Sequence, residues 1–206
     1  MNKLYVIGIG PGNRDYILPL AHKTINHCQI LIGGKRNLNS FPAFEGERVI
    51  IGKDLNTVVD LIKLNLSSKK IGVIVSGDTG FYSMLDYLKK FFEEDQLEVI
   101  PGISSFQYLF AKVKKPWHQT LLMSLHGRRD DYITKLRDKA SITLLTDSIY
   151  TPDIIAKELM EAGLDEVEMI VGENLSYEEE RIIRGNPLAV LEAKPYKMAV
   201  VVILNE

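Results

Sequence analysis

The sequence predicts an α/β protein of two domains, because short apolar runs alternate with amphipathic segments along nearly the whole chain. In the first half this alternation is typical of a mainly parallel sheet whose faces are covered by helices. A polar, basic stretch at residues 112–118 contains a proline and interrupts the pattern like a linker. We therefore expect an N-terminal α/β domain over residues 1–113 and a C-terminal α/β domain over residues 114–206.

Apolar runs place the strands, and apolar residues three and four positions apart place the helices. The first half has predicted strands at residues 3–9, 29–32, 48–51, 71–76 and 97–100. Two helical faces lie between them, formed by Ile17, Leu20, Ala21, Thr24, Ile25 and Cys28, and by Leu55, Val58, Val59, Ile62 and Leu66.

The second half continues in the same way after the linker. One helix is predicted from its ends, with Thr151 as N-cap, Pro152 as the first helical residue and Gly163 as the C-terminal stop. Further helices are predicted near residues 131–139 and 187–191, and strands at residues 120–125, 142–146, 166–171, 180–184 and 197–204.

Composition argues against several classes of protein. A net charge of −2, from 25 basic and 27 acidic residues, argues against a general nucleic-acid or membrane-surface binder. A single cysteine, Cys28, excludes an internal disulfide and a cysteine-cluster zinc site. No apolar run approaches the roughly 18 residues that span a bilayer, and a strand begins too early for a cleavable signal. We expect a soluble, cytoplasmic protein.

Three glycine-containing loops follow predicted strands, at residues 8–12, 76–80 and 101–105. The carboxyl ends of parallel strands share one edge of a sheet, so these loops should converge. Each of them is a weak signal alone, because a glycine after a strand is more often a plain turn. Together, with a carboxylate and small hydroxyl groups, they predict a ligand pocket at that edge.

Two interpretations stay open for the polar side chains of these loops. Asp78 faces a cationic or hydroxylated ligand, or it caps a helix that begins near Phe81. Ser104 and Ser105 start a helix, where their hydroxyl groups bind a carboxylate or only cap the helix.

The loops fit a dinucleotide poorly. The dinucleotide fingerprint requires a third glycine where this chain has Asn13, and Pro11 lacks an N–H that would meet a phosphate. The second predicted strand also lacks the acidic residue that holds a ribose. Because none of the three loops contains a lysine, they suit a zwitterionic ligand better than a polyphosphate.

Basic residues in other loops suggest an anionic substrate. His126, Arg128 and Arg129 follow a predicted strand, and paired guanidinium groups bind carboxylates or phosphates, although a solvated loop explains them equally well. Further basic residues lie near predicted loop ends at Lys35, Arg36, Lys112, Lys114 and Lys115. The spacing of the four histidines predicts no metal site.

In this order and spacing, residues 8–12, 76–80, 101–105, 126–128 and 172–175 resemble the motifs of the tetrapyrrole (corrin/porphyrin) methylases. The resemblance covers nearly the whole chain. The sequences Ser-Gly-Asp-Thr-Gly-Phe-Tyr-Ser, Pro-Gly-Ile-Ser-Ser, Leu-His-Gly-Arg and Gly-Glu-Asn-Leu are most similar to the branch that methylates carbon 5 of a cobalt-precorrin in cobalamin biosynthesis.

The resemblance implies the class III methyltransferase fold, two α/β domains with a cofactor cleft between them, S-adenosylmethionine as cofactor and a homodimer. It implies cofactor contacts at Ile9, Gly10, Pro11, Gly77, Asp78, Phe81, Ser104 and Ser105, and in the second domain at Leu145, Thr146, Met198 and Ala199. Substrate contacts are implied at His126, Arg128, Arg129 and Asn174. No metal ligand is predicted. No general base is predicted either, because positioning the methyl group and the acceptor carbon alone supplies much of the rate acceleration.

The acceptor is less well determined than the cofactor. Alternatives are a tetrapyrrole methylase for another ring carbon, a relative that methylates a protein or ribosomal RNA, and a non-catalytic module that binds the cofactor or a tetrapyrrole. A nicotinamide-dependent oxidoreductase is the rival from another enzyme class. We also expect a separate protein to perform the decarboxylating methylation at carbon 15.

Overall fold

The computed structural model describes residues 2–127, 130–138 and 141–205. Contacts divide the chain into two compact units, Met1–Ser104 and Ser105–Glu206. The sequence placed the division after residue 113 instead. The helix Ser105–Lys112, which precedes the polar stretch, belongs by its contacts to the second unit.

The first unit is a parallel sheet with helices on both faces. Its five strands are β1 (Leu4–Gly8), β2 (Ile30–Gly33), β3 (Glu47–Ile50), β4 (Ile71–Val75) and β5 (Leu97–Ile100). They lie in the order β3-β2-β4-β1-β5, and every pair is parallel. The α-helices are α1 (Pro19–Asn26), α2 (Lys35–Asn39), α3 (Leu55–Asn65) and α4 (Leu85–Leu88), with 3₁₀ turns at Arg14–Tyr16 and Glu94–Gln96.

Burial on both faces explains why the central strands are almost wholly apolar. Strand β4 is buried throughout, and its consecutive residues Val73 and Ile74, which point to opposite faces of the sheet, belong to two different apolar clusters. Helix α3 packs in the cluster that contains Val73, and helix α1 packs in the cluster that contains Ile74. The predicted face of α1 is wrong at one position: Leu20 is 55% exposed, because the helix begins at Pro19 and turns Ala21 and Ile25 to the sheet.

The second unit has a mixed sheet of the strands β6 (Leu121–Ser124), β7 (Ser141–Leu145), β8 (Glu168–Glu173), β9 (Arg181–Gly185) and β10 (Ala199–Leu204). They lie in the order β6-β7-β10-β8-β9, in which β6 and β7 are parallel and the other pairs are antiparallel. Its helices are α5 (Ser105–Lys112), α6 (Tyr132–Arg137), α7 (Pro152–Glu161) and α8 (Pro187–Glu192).

Helices cover the second sheet unevenly. Helices α6, α7 and α8 contribute Leu136, Ile155 and Val190 to one apolar cluster on the sheet. Helix α5 instead packs Leu109 against Gly172 of β8, where a Cβ would lie 2.8 Å from the leucine side chain. Because β10 runs antiparallel to β7 and β8, and β6 runs parallel to β7, one edge of this sheet carries the carboxyl ends of β6, β7 and β8 and the amino end of β10.

The prediction of two α/β units is confirmed. None of the helices in the described parts of the chain combines the length and the apolar composition of a transmembrane span.

Candidate functional site

The three glycine loops of the first unit meet at the carboxyl edge of its sheet, as the parallel topology predicts. Gly10 and Gly77 exchange two backbone hydrogen bonds, with N···O distances of 3.2 and 2.7 Å. Gly102 lies so close that a Cβ there would be 2.1 Å from the Gly77 carbonyl oxygen and 2.8 Å from the Gly8 carbonyl carbon. Only glycine permits this approach. The edge is therefore lined by backbone groups in direct contact.

Asp78 connects two of these loops. One carboxylate oxygen, Oδ1, accepts the N–H of Gly80 at 2.8 Å, and Oδ2 accepts the N–H of Gly102 at 3.0 Å. The helix-capping interpretation is wrong, because the next α-helix begins at Leu85 with Met84 at its N-cap. The carboxylate instead fixes the loop at residues 101–105 against its own loop.

The other predicted contacts of the first unit lie around this junction. Ile9 and Ser104 are 3% and 4% exposed, and Pro11 is also buried. Phe81 is half-buried, with its ring in edge contact with Tyr82 at 4.9 Å between centroids. Ser105, which follows Ser104 directly in the chain, is the first residue of α5 and of the second unit. Predicted residues that are far apart in sequence thus come together at the ends of β1, β4 and β5.

One cationic side chain reaches the same edge from the neighbouring strand. Arg36, in the helix that follows β2, donates from Nη2 to the hydroxyl of Ser76 at 3.4 Å. Lys35 precedes it and is exposed. The three loops themselves carry one ionisable side chain, Asp78, so positive charge borders the junction without entering it.

In the second unit the predicted residues lie at one edge of the mixed sheet. Leu145 ends β7 and pairs with Val200 of β10, and the hydroxyl of Thr146 donates to the Ala199 carbonyl at 2.7 Å. Asn174, directly after β8, donates its N–H to the carbonyl of Met198 at 2.9 Å. The two strand pairings with β10 bring these segments together.

His126 lies at the same edge, after β6, and is exposed. The next residue, Gly127, donates its N–H to Asp147 at 2.9 Å, and Asp147 also accepts the N–H groups of Ile149 and Tyr150, both at 2.7 Å. These backbone hydrogen bonds, with a smaller effect of the His126 charge, lower the pKa of Asp147. The predicted substrate contacts Arg128 and Arg129 lie outside the described residues.

Sequence reasoning missed Asp147, although an aspartate just after a strand is a recognisable turn signal. It also missed the function of Glu173, which is 5% exposed. The Glu173 carboxylate accepts a hydrogen bond from Arg181 Nε at 2.8 Å and one from the Lys197 N–H at 2.6 Å. Arg181 continues to the carbonyl of Pro195 at 2.8 Å. This network holds the segment that leads into Met198.

Among the residues that the structure describes, no cluster of three or more histidine, cysteine, aspartate or glutamate side chains is arranged to hold a metal ion. Each unit therefore has its own candidate region, the backbone-lined loops in the first unit and a polar sheet edge in the second.

Comparison with known proteins agrees with this arrangement. The family model of the Tetrapyrrole (Corrin/Porphyrin) Methylases matches residues 3–188. The cobalt-precorrin-7 C(5)-methyltransferase of Salmonella typhimurium is 38% identical over 203 residues, which cover 98% of this chain and 99% of that protein. The probable cobalt-precorrin-7 C(5)-methyltransferase of Methanocaldococcus jannaschii is 31% identical over 186 residues, 87% of each chain.

A solved structure supports the fold. The uroporphyrin-III C-methyltransferase of Thermus thermophilus, complexed with S-adenosylhomocysteine, superposes with a TM-score of 0.80 and 19% identity over 99% of this chain and 98% of that one. The resemblance predicted from the motifs is confirmed by the family model and by relatives that match most of the chain. The chain belongs to the tetrapyrrole (corrin/porphyrin) methylase family.

Proposed function

We propose that the protein is an S-adenosylmethionine-dependent methyltransferase that methylates carbon 5 of a cobalt-precorrin in cobalamin biosynthesis. The observation that carries the methyltransferase assignment is the backbone contact of three glycine loops at one sheet edge. The acceptor is assigned from the S. typhimurium relative, whose name states this reaction and which matches 98% of the chain.

The first unit suits this cofactor chemically. S-Adenosylmethionine is a zwitterion with a sulfonium and two ribose hydroxyl groups, and it has no phosphate. The loop junction offers backbone N–H and C=O groups, small hydroxyl groups and one carboxylate, and its three loops contain no lysine or arginine. Backbone groups and a lone carboxylate bind such a molecule without the cations that a polyphosphate requires.

The residues that we propose to hold the cofactor are those of the two sheet edges. They are Ile9, Gly10, Pro11, Gly77, Asp78, Phe81, Ser104, Ser105, Leu145, Thr146, Met198 and Ala199. Asp78 acts chiefly by fixing the loops, because both of its oxygens already accept backbone hydrogen bonds. Each oxygen keeps a second lone pair for a ligand hydroxyl or ammonium group.

When bound, S-adenosylmethionine supplies a methyl group on a sulfonium, which is a good leaving group. The protein has to hold the acceptor carbon in line with that methyl group and keep water away. Such positioning contributes roughly 7–11 kcal/mol in well-oriented reactions. The buried side chain of Ile9 and the rigid glycine junction suit this task, and no residue is assigned as a general base.

The tetrapyrrole carries several carboxylates, so cationic and amide side chains are its expected anchors. We propose His126, Arg128, Arg129 and Asn174 for this role. Arg36 is a further candidate, because its hydrogen bond to Ser76 brings a guanidinium to the edge of the loop junction. We also propose that the protein acts as a homodimer in the cytoplasm, and that a separate enzyme performs the decarboxylating methylation at carbon 15.

Calorimetric titration with S-adenosylhomocysteine, run beside NAD, tests the cofactor assignment. We expect saturable binding of S-adenosylhomocysteine and none of NAD, followed by transfer of a radiolabelled methyl group to cobalt-precorrin-7. Binding of NAD alone would overturn the assignment. Label recovered in protein or RNA, with none in the tetrapyrrole, would replace the acceptor.

A further inference from the structure

A polar cluster of the buried Tyr108, the partly buried Glu180 and the exposed Lys112 joins helix α5 to the segment between β8 and β9. Lys112 Nζ lies 3.0 Å from Glu180 Oε1 and 5.4 Å from the centre of the Tyr108 ring. Tyr108, which is 7% exposed, shares a side-chain hydrogen bond with the same Glu180 carboxylate. The other oxygen, Oε2, accepts the backbone N–H of Ser176 at 2.7 Å. Glu180 therefore links a helix to a turn.

That turn has an unfavourable backbone. Asn174 and Ser176 have φ angles of 47° and 69°, in the left-handed region, which asparagine adopts more often than other residues with side chains and serine seldom adopts. Such conformations persist only where the surroundings fix them. Leu175, between them, is 5% exposed and packs on Gly172, where a Cβ would lie 2.7 Å from the leucine. The Ser176 N–H bond to Glu180 fixes the other end of the turn.

The charges of the cluster suit this task at neutral pH. Burial alone would raise the pKa of Glu180, but hydrogen bonds from Tyr108 and the Ser176 N–H, together with the Lys112 ion pair, lower it. Burial and the hydrogen bond to Glu180 raise the pKa of Tyr108 to about 12, so its hydroxyl remains a donor. The carboxylate is ionised and has a donor or cation on each side.

We propose that Glu180, held by Tyr108 and Lys112, is a positioning residue that fixes the turn Asn174–Ser176 and thereby the place of Asn174 against the tetrapyrrole. This inference rests on the proposed function, because it assigns Asn174 to the acceptor. The turn also holds the Met198 carbonyl through the Asn174 N–H. Loosening the turn therefore disturbs acceptor binding, whereas the glycine loops of the first unit are untouched.

Glu180→Gln tests the proposal, because the amide still accepts one hydrogen bond but loses the charge that pairs with Lys112. We expect the KM for cobalt-precorrin-7 to rise about tenfold, the scale of a lost charge-assisted hydrogen bond. The kcat should stay within about twofold, and the affinity for S-adenosylhomocysteine should fall by less than the KM for the tetrapyrrole rises, because the turn reaches the cofactor contact Met198 only through the Asn174 N–H. Lys112→Met should show the same pattern, and it provides a second variant if the first fails to fold.

Glu168→Gln is the matched control. Glu168 pairs with Arg184 at the other end of β8, and its pKa is likewise lowered by the arginine, but it lies far from the turn. Hydrogen–deuterium exchange gives a readout without turnover: amides of residues 174–176 should exchange faster in Glu180→Gln and at the wild-type rate in Glu168→Gln. A wild-type KM and exchange rate in Glu180→Gln would overturn the inference. Absence of methyl transfer by the wild-type protein would instead overturn the proposed function.

Discussion

Replacing Gly102 by alanine should damage the site at a single backbone contact. The added Cβ would lie 2.1 Å from the Gly77 carbonyl oxygen and 2.9 Å from the Gly8 Cα. These are backbone atoms, so no side-chain rotation relieves the clash. The Gly77 oxygen would have to retreat by about 1.3 Å to reach an ordinary contact, and a displacement near 1 Å costs roughly 100-fold in rate when reactants are positioned. Because Asp78 follows Gly77 in the chain, this displacement also separates the Asp78 carboxylate from the Gly102 N–H.

We therefore expect kcat/KM for methyl transfer to fall about 100-fold in Gly102→Ala, with at least tenfold weaker binding of S-adenosylhomocysteine in calorimetry. The free energy of unfolding should fall by about 1–3 kcal/mol in urea titrations, as in other overpacked sites. Gly52→Ala is the control, because nothing lies within 4 Å of a Cβ at that position. Wild-type affinity and turnover in Gly102→Ala would refute the claim that the loop junction shapes the site.

Three further predictions follow from single contacts. Asp78→Asn leaves the N–H of either Gly80 or Gly102 facing the amide N–H₂ instead of an acceptor oxygen. Calorimetry should therefore show about tenfold weaker binding of S-adenosylhomocysteine. Unchanged binding would contradict the role of Asp78 as a bridge between the loops. Thr146→Val removes the 2.7 Å hydrogen bond to Ala199 and should lower the free energy of unfolding by about 1 kcal/mol in urea titrations, whereas an equal midpoint and slope would count against it. The pKa of Tyr108 is about 12 in the folded state, whereas that of an unfolded tyrosine is near 10. The stability that the protonated Tyr108 hydroxyl contributes is therefore complete below pH 10 and is lost as the pH rises through about 12. Urea unfolding at pH 9 and pH 11 should therefore show a smaller alkaline loss in Tyr108→Phe than in the wild type, and equal losses would refute the raised pKa.

Much of the first unit could be predicted from the sequence because its topology is parallel and local. Apolar runs located every strand within a few residues, and the parallel arrangement alone required the three glycine loops to meet. The error at Leu20 has a local cause. Spacing identifies an apolar face but not where the helix begins, and Pro19 at the first position turned that residue outward.

The second unit was less predictable. Its strands were located, but β10 lies antiparallel between β7 and β8, and alternation of strands and helices does not reveal such an insertion. The edge that joins Thr146, Asn174 and Ala199 follows from that insertion. The polar contacts were missed for a related reason: Asp78 and Asp147 each accept a backbone N–H from a loop far away in the sequence, and Glu180 pairs with Lys112 of α5, so these partners meet only in the folded chain.

Incubation with cobalt-precorrin-7 and S-adenosylmethionine carrying a ¹³C-labelled methyl group tests the central claim most directly. The proposed function predicts one new ¹³C methyl signal in the product, with NMR correlations that place it on carbon 5. A labelled methyl group on any other ring carbon, or a tetrapyrrole recovered without label while S-adenosylhomocysteine binds, would contradict it.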